Sequence, residues 1–584
     1  MLKLLKNFTK KDWLIVAISL LLIIFQVWLD LKLPDYMSEI TKLVQTEGSQ
    51  MSDVLKQGGY MLACAFGSLI AAIVVGYLTS LLSASFTLHV RKKLFENVEN
   101  FGMQEIKKFS TSSLITRTTN DITNVQMLIS MGLQLLIKSP ITAVWAVIKI
   151  LNKNWQWSAL TGIAVLVLMS CISLLVALVL PRFKKVQKMI DNINELTREN
   201  LTGIRVVRAF NAEGYQEDKF EVGNTELTNT QMFNQRAMSA MSPVIYLVMN
   251  TLTLSIYFVG SRLIDSASMM DKLPLFADMV VFSSYAMQVI MSFLMLSMIF
   301  IMYPRAQVSA QRIAEVLDTK PSIKDGKVNS NETDKKGEIE FKNVSFKYPG
   351  ADEYILKDIN FKAKSGETTA FIGSTGSGKS TLINLIPRFY DVTSGEILID
   401  GENIKNVSLH DLREKIGFVP QKGMLFSGTI ESNLKYGGEH ISDEYMHKAA
   451  EIAQATEFIS SKESGFNTEI SQGGTNVSGG QKQRLAIARA LAKNSEIFIF
   501  DDSFSALDFK TDAKLRKAIN EELSDSTLLI VAQRISTIMN ADQILVLDEG
   551  KVVGKGTHKE LMENCEVYRQ IALSQLSKEE LQDE

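Results

Sequence analysis

Six long apolar runs set the terms for everything this chain can fold into: Trp13–Leu33, Tyr60–Phe86, Met131–Leu151, Trp157–Leu180, Ser239–Gly260 and Leu275–Tyr303. Crossing a hydrocarbon core of ~30 Å takes about 20 helical residues, so the sequence predicts about six transmembrane helices. Past the last run, the remainder reads as an ordinary soluble protein. The two parts live in different solvents, and 584 residues exceed what one core accommodates.

Charge orients the spans. Lys3, Lys6, Lys10 and Lys11 precede the first, and Arg91, Lys92 and Lys93 follow the second. Arg182, Lys184, Lys185 and Lys188 follow the fourth, and Arg305 and Arg312 follow the sixth. The positive-inside rule makes these ends cytoplasmic. The expectation is therefore a multi-pass protein of the cell membrane, embedded in the lipid bilayer, with the soluble half and both termini in the cytosol. Met1–Lys6 has no small-residue cleavage site ahead of the first apolar run, which predicts a retained span rather than a removed leader. A net charge of −2 offers nucleic acid no electrostatic footprint. Cys64, Cys171 and Cys565 imply no disulfide framework.

The second-to-third and fourth-to-fifth links are long, charged and helical in period, so helices 2 to 5 are expected to continue well into the cytosol. Gln26, Asp30, Lys138, Asn250 and Gln288 fall within spans. An ionisable group in lipid costs several kcal/mol, which leaves Lys138 either a pathway role or pairing and snorkelling. Met287, Met291, Met295, Met298 and Met302 recur at steps of four, four, three and four, laying a thioether stripe down one helical face. Flexible, polarizable side chains suit a surface that repacks around many apolar shapes. Plain packing or lipid contact fits the stripe equally.

Lys320–Gly337 is polar and broken by Pro and Gly, and reads as a linker. It separates a transmembrane domain, residues 1–319, from a domain at residues 338–584 in which strand-like Ile339–Phe346 and Thr369–Ile372 open an alternating α/β pattern. Directly after the second of these strands comes Gly373-Ser374-Thr375-Gly376-Ser377-Gly378-Lys379-Ser380, followed by the helical run that begins at Thr381. This is the strand, tight turn and helix start of a P-loop, where backbone N–H groups cradle a di- or triphosphate. Lys379 would reach the β- and γ-phosphates. Ser380 would offer Mg²⁺ the oxygen ligand that a hard octahedral cation requires.

Further along stand Asn476-Val-Ser-Gly-Gly-Gln481, Ile497-Phe-Ile-Phe-Asp-Asp502, Ser505-Ala-Leu-Asp508 and Ile530-Val-Ala-Gln-Arg534. With these residues the chain resembles the ABC transporter superfamily over nearly its whole length, specifically exporter-type half-transporters. The resemblance implies a six-span, all-α membrane domain fused to a cytosolic α/β P-loop ABC ATPase domain that uses ATP and Mg²⁺. It implies that Tyr348 stacks on adenine, and that Gln421 links metal chemistry to the spans. Ser478, Gly479, Gly480 and Gln481 would contact ATP across a dimer interface. Asp501 would hold Mg²⁺ together with Ser380 and Gln421, and Asp508 joins the catalytic set. Thr116–Asp121 and Asn200–Phe210 resemble segments that flank the coupling helices of such exporters.

Two positions depart from the family pattern. Asp502 stands where a Glu usually acts as base towards water, and a carboxylate one methylene shorter stops about 1.5 Å short, where about 1 Å of misplacement can cost ~100-fold. Gln533 stands where the family usually has a His, and it cannot carry a proton. The signature Ser478–Gln481 is complete, with Val477 for the usual Leu. Together these features resemble the degenerate-site subunit of heterodimeric bacterial multidrug exporters, which would hold ATP, hydrolyse it poorly and lend a competent signature to a second subunit. Small amphiphilic or hydrophobic compounds are the expected cargo. A homodimeric pump, a lipid flippase and an ATP-gated regulatory subunit are the alternatives.

Overall fold

Five of the apolar runs each lie within one α-helix, and Met131–Leu151 runs through the end of a helix, a π-helical turn and the helix that follows. In the computed structural model, which describes residues 4–575 apart from 5, 47, 152–153, 329–335 and 439, six helices are long and apolar enough to cross a membrane. Met1–Lys3 and the centre of the expected linker, 329–335, lie outside the described residues. The chain falls into two compact units: Met1–Glu99 with Ser112–Thr319, and Asn100–Thr111 with Lys320–Glu584.

The helices up to the linker are α1 (Lys10–Gln45), α2 (Met51–Glu99), α3 (Met103–Phe109), α4 (Thr111–Thr118), α5 (Asn120–Leu133), α6 (Ser139–Leu151), α7 (Trp155–Thr202), α8 (Ile204–Ala209), α9 (Glu213–Ser266) and α10 (Lys272–Asp318). A capping box starts α1: the Thr9 side chain accepts from the Asp12 N–H at 3.2 Å, and Asp12 accepts from the Thr9 N–H at 2.8 Å. The 49, 48 and 54 residues of α2, α7 and α9 far exceed the span requirement. At 1.5 Å per residue they run to roughly 70–80 Å, more than twice a ~30 Å hydrocarbon core. The long charged links are thus continuations of the spans. Thr116–Asp121 covers the break between α4 and α5, and Asn200–Phe210 covers the end of α7 and all of α8.

Polar ties organise this unit as much as its apolar core. Arg117 meets Glu315 at 2.7 Å, while Asp121 takes Ser309 Oγ at 2.8 Å and Arg312 at 3.3 Å, fixing α4 and α5 to α10. Trp157 and Phe282 pack with ring centroids 5.4 Å apart in the centre of the bundle. Lys138, the last residue of a π-helical turn at Gln134–Lys138, pairs with Asp30 at 3.2 Å. Lys149 pairs with Asp35 at 2.7 Å, and Tyr285 donates to the same carboxylate at 2.6 Å. Lys138 and Lys149 are therefore met by opposite charges on a neighbouring helix, as the cost of burying them requires. Gln26 is buried and Asn250 exposed. Along α10, Met287 packs against the core while Met291, Met295 and Met298 are exposed.

The second unit contains β1 (Ile339–Phe346), β2 (Leu356–Ala363), β3 (Thr368–Gly373), β4 (Ser394–Ile399), β5 (Glu402–Asn403), β6 (Ile416–Val419), β7 (Gly428–Thr429), β8 (Glu469–Ile470), β9 (Ile497–Asp501), β10 (Thr527–Val531), β11 (Gln543–Asp548) and β12 (Lys551–Gly556). Its main sheet runs β12-β11-β3-β10-β9-β6, parallel except for β12. An antiparallel sheet, β2-β1-β4-β5, and the short pair β7-β8 complete it. β9 and β10 are buried at every position, as strands covered on both faces must be, and are apolar but for Asp501 and Thr527 for that reason. Parallel order brings the carboxyl ends of β3, β6, β9 and β10 to one edge, where ligands of open α/β sheets bind.

Candidate functional site

The residues that follow those four strand ends are the ones the sequence singled out. From β3 the chain turns through Gly373–Gly378 into α11 (Lys379–Leu385). At Gly373, with φ +155°, an added Cβ would lie 2.0 Å from the Leu547 carbonyl oxygen. Gly378 caps α11 with φ +100°, a left-handed conformation that a side chain disfavours. The loop this makes leaves backbone N–H groups and a helix start facing the cleft. Lys379 Nζ donates to the carbonyls of Gly373 at 2.7 Å and Ser374 at 2.8 Å, folded over the loop it would share with phosphate.

A cleft of ≈ 660 Å³ opens here, lined by Tyr348, the loop residues from Gly373 to Thr381 other than Ser377, Gln421 and Gln533. The Tyr348 hydroxyl lies 3.0 Å from Thr381 Oγ1, which ties the expected base-stacking ring to the phosphate loop. Ser380 Oγ donates to Asp501 Oδ1 at 2.8 Å. A hydroxyl and a carboxylate so placed fit Mg²⁺, which takes few protein oxygens and completes its shell with water and phosphate. Burial pushes the Asp501 carboxyl above the usual range, with the Ser380 bond pulling it back. Burial likewise pushes the Lys379 ammonium below the ordinary lysine range, against the attraction of Asp502 and Asp501. Both groups thus stand desolvated, and a phosphate chain carrying a divalent cation would supply each with its counter-charge.

Asp502 is at the centre of a second network. It sits at the end of β9 with φ +48° and is 7% exposed. Its Oδ2 accepts from Gln533 Nε2 at 2.6 Å and from Gln421 Nε2 at 3.1 Å. Ser478 caps α12 (Gly479–Ala492) in a capping box with Gln481, and Asp508 caps α13 (Phe509–Glu522), accepting from the Thr511 N–H at 3.0 Å. That bond holds the Asp508 carboxyl below the usual range. The structure therefore gathers Tyr348, the P-loop, Gln421, Asp501, Asp502 and Gln533, whereas Ser478–Gln481 and Asp508 do not line the cleft.

Sequence reasoning missed two contributors. Gln575 donates to the Gln533 carbonyl at 2.8 Å and lines the cleft beside Ile571 and Ser574. Lys107, on α3, lies 4.7 Å from the centre of the Tyr348 ring and 5.6 Å from that of Tyr390. A hydrogen bond with Tyr390 raises its ammonium above the ordinary lysine range. No local pattern marks either residue, since each acts through a partner remote in the chain, 42 positions away for Gln575 and more than two hundred for Lys107.

Residues 356–505 match the family model of the ABC transporter, and residues 16–293 match that of the ABC transporter transmembrane region. The chain belongs to the ABC transporter family. It is an ATPase-coupled transporter with a multi-pass membrane region and an ABC ATPase domain. The transporter is 38% identical over 565 residues to an uncharacterized ABC transporter ATP-binding protein of Mycobacterium tuberculosis, covering 96% of each chain. It is 32% identical to an ATP-dependent lipid A-core flippase of Haemophilus influenzae, covering 86% of this chain and 85% of the flippase. A bacterial Atm1-family ABC exporter with ATP bound has the same fold, with a TM-score of 0.79 and 24% identity over 97% of this chain and 98% of that one.

Proposed function

We propose that this ABC transporter is one subunit of a heterodimeric exporter of amphiphilic or hydrophobic compounds, and that it holds ATP at its own P-loop while hydrolysing it poorly. The observation that carries this reading is the state of Asp502. Its short carboxylate is anchored through Oδ2 by two amide N–H bonds, and neither glutamine can relay a proton. Gly373–Thr381 and Tyr348 would bind the nucleotide. Asp501, Ser380 and Gln421 would hold Mg²⁺, which when bound neutralises developing phosphate charge. Ser478–Gln481 would complete the P-loop of the second subunit, where turnover would occur. In this reading the boundaries are 1–319, 320–337 and 338–584, and the ATPase domain faces the cytosol.

A lipid as cargo is the second reading, favoured by the likeness to the lipid A-core flippase. Co-purification with the protein encoded beside it, followed by ATPase assays of the pair and of each chain alone against a panel of amphiphiles and lipids, tests both. Fast hydrolysis by this chain alone would sink the heterodimeric reading. Stimulation by lipids only would decide for the flippase.

A further inference from the structure

We propose that Asp502 is a positioning residue: by accepting the amide N–H groups of Gln421 and Gln533 on one oxygen, it turns the side-chain oxygen of Gln421 toward the metal position, so that metal-dependent retention of ATP here depends on Asp502. This deepens the function proposed above and rests on it. The argument begins with what each group can do. An ionised carboxylate only accepts, and a glutamine amide has its donors on nitrogen and its acceptor on oxygen, so a glutamine within reach of Asp502 must present nitrogen to it. Gln421 does so at 3.1 Å and Gln533 at 2.6 Å, both to Oδ2. With Nε2 committed, Oε1 on the other fork of the Gln421 amide is the atom left free to ligate a hard cation.

The anchor is itself held by backbone. The Asp502 N–H donates to the Val531 carbonyl at 3.0 Å, and its own carbonyl accepts from Ser505 Oγ at 2.9 Å. Gln533 is fixed from behind by Gln575 at 2.8 Å. A Glu at 502 would carry its oxygens about 1.5 Å further, beyond where the two amides now converge. The short carboxylate and the non-titrating amide at 533 therefore form one device, a fixed acceptor between the ends of β6 and β10.

The test uses the full-length transporter in lipid nanodiscs, with Mn²⁺ replacing Mg²⁺ and free Mn²⁺ read by electron paramagnetic resonance as ATP binds. Asp502→Ala and Gln421→Ala are each expected to raise the half-saturating Mn²⁺ concentration about tenfold, the size of one hydrogen bond to a charged group. The double variant should be no worse than the larger single one, because both break the same link. Asp502→Asn, whose carbonyl oxygen can still accept, should stay within about threefold of the parent and separates positioning from misfolding. Unchanged Mn²⁺ dependence in Asp502→Ala, multiplying effects in the double variant, or Asp502→Asn behaving like Asp502→Ala would each overturn the proposal. Single-turnover conversion of ATP to ADP on the same samples judges the function separately. Fast conversion with the Mn²⁺ pattern intact would reject poor hydrolysis and leave the positioning role standing.

Discussion

Gln533 Nε2 lies 2.6 Å from Asp502 Oδ2, so the two catalytic positions that the sequence reading marks as unusual are bonded to each other. A change at one is then a change in the seat of the other. Asp502→Glu alone is expected to leave hydrolysis at this site slow, because the longer side chain displaces Gln533 without gaining a proton carrier. Asp502→Ala should change turnover of the assembled exporter only modestly. Single-turnover ADP formation at this site and steady-state ATPase of the pair check both. Silencing of the pair by Asp502→Ala would show that Asp502 is the working base.

The signature should behave in the opposite way. An added Cβ at Gly479 meets nothing within 4 Å, and at Gly480 the nearest atom is the Ala506 carbonyl oxygen at 3.5 Å, an ordinary contact. Gly480→Asp and Ser478→Ala should accordingly fold and bind ATP in this chain, yet nearly abolish turnover of the proposed pair, in which these donors would face the γ-phosphate of the other site and be worth ~10²–10³ in rate. ATPase activity at saturating ATP, with nucleotide binding as the folding control, decides the matter.

Lys379→Ala should reduce ATP occupancy of this chain, because the phosphate charge then loses its ammonium. Labelling by a photoreactive ATP analogue measures it. Unchanged labelling would remove Lys379 from the site.

Met291, Met295 and Met298 are exposed on α10. Replacing all three by Leu conserves volume and should cost under ~1.5 kcal/mol per site in stability, while narrowing the range of compounds exported. Thermal unfolding and transport of a substrate panel test the two halves of this expectation. Equal scaling of every substrate would reduce the stripe to packing.

Lys138→Met removes the counter-ion of Asp30, its partner at 3.2 Å, leaving that carboxylate the Ser68 hydroxyl, and should destabilise the membrane unit. A fully buried pair broken this way costs about 3–5 kcal/mol, and partial exposure of both side chains lowers the expectation to about 1–3. Adding Asp30→Asn should recover much of the loss, because the unpaired charge is then gone. Melting temperatures of the single and double variants in detergent supply the measurement.

The fold was legible because its physics is local. An apolar run near the length of a bilayer core has one way to satisfy its backbone in lipid, which is why Trp13–Leu33 and its five counterparts mark their helices without any tertiary information. The loop Gly373–Ser380 was equally readable, since its glycines answer to turn geometry and its Lys and Ser to phosphate and metal chemistry. Asp502 and Gln533 could be recognised as unusual from their chemical types alone. What they do to each other could not, because the contact depends on parallel β9 and β10 ending side by side, with the two positions 31 apart in the chain.

The same limit explains Lys138, for which the sequence left pairing and a pathway role both open. Asp30 becomes its counter-ion only when α1 packs beside the π-helical turn, 108 positions away in the chain. Lys107 over Tyr348 and Gln575 behind Gln533 are also long-range contacts with no periodicity to announce them. By itself the sequence determined which segments enter lipid, where the phosphate loop lies and which chemical groups were at hand, because hydropathy and backbone stereochemistry act over a few residues. The tertiary structure alone decided which of those groups face one another, because charge pairing and hydrogen bonding act through space between residues that only the packed fold brings together.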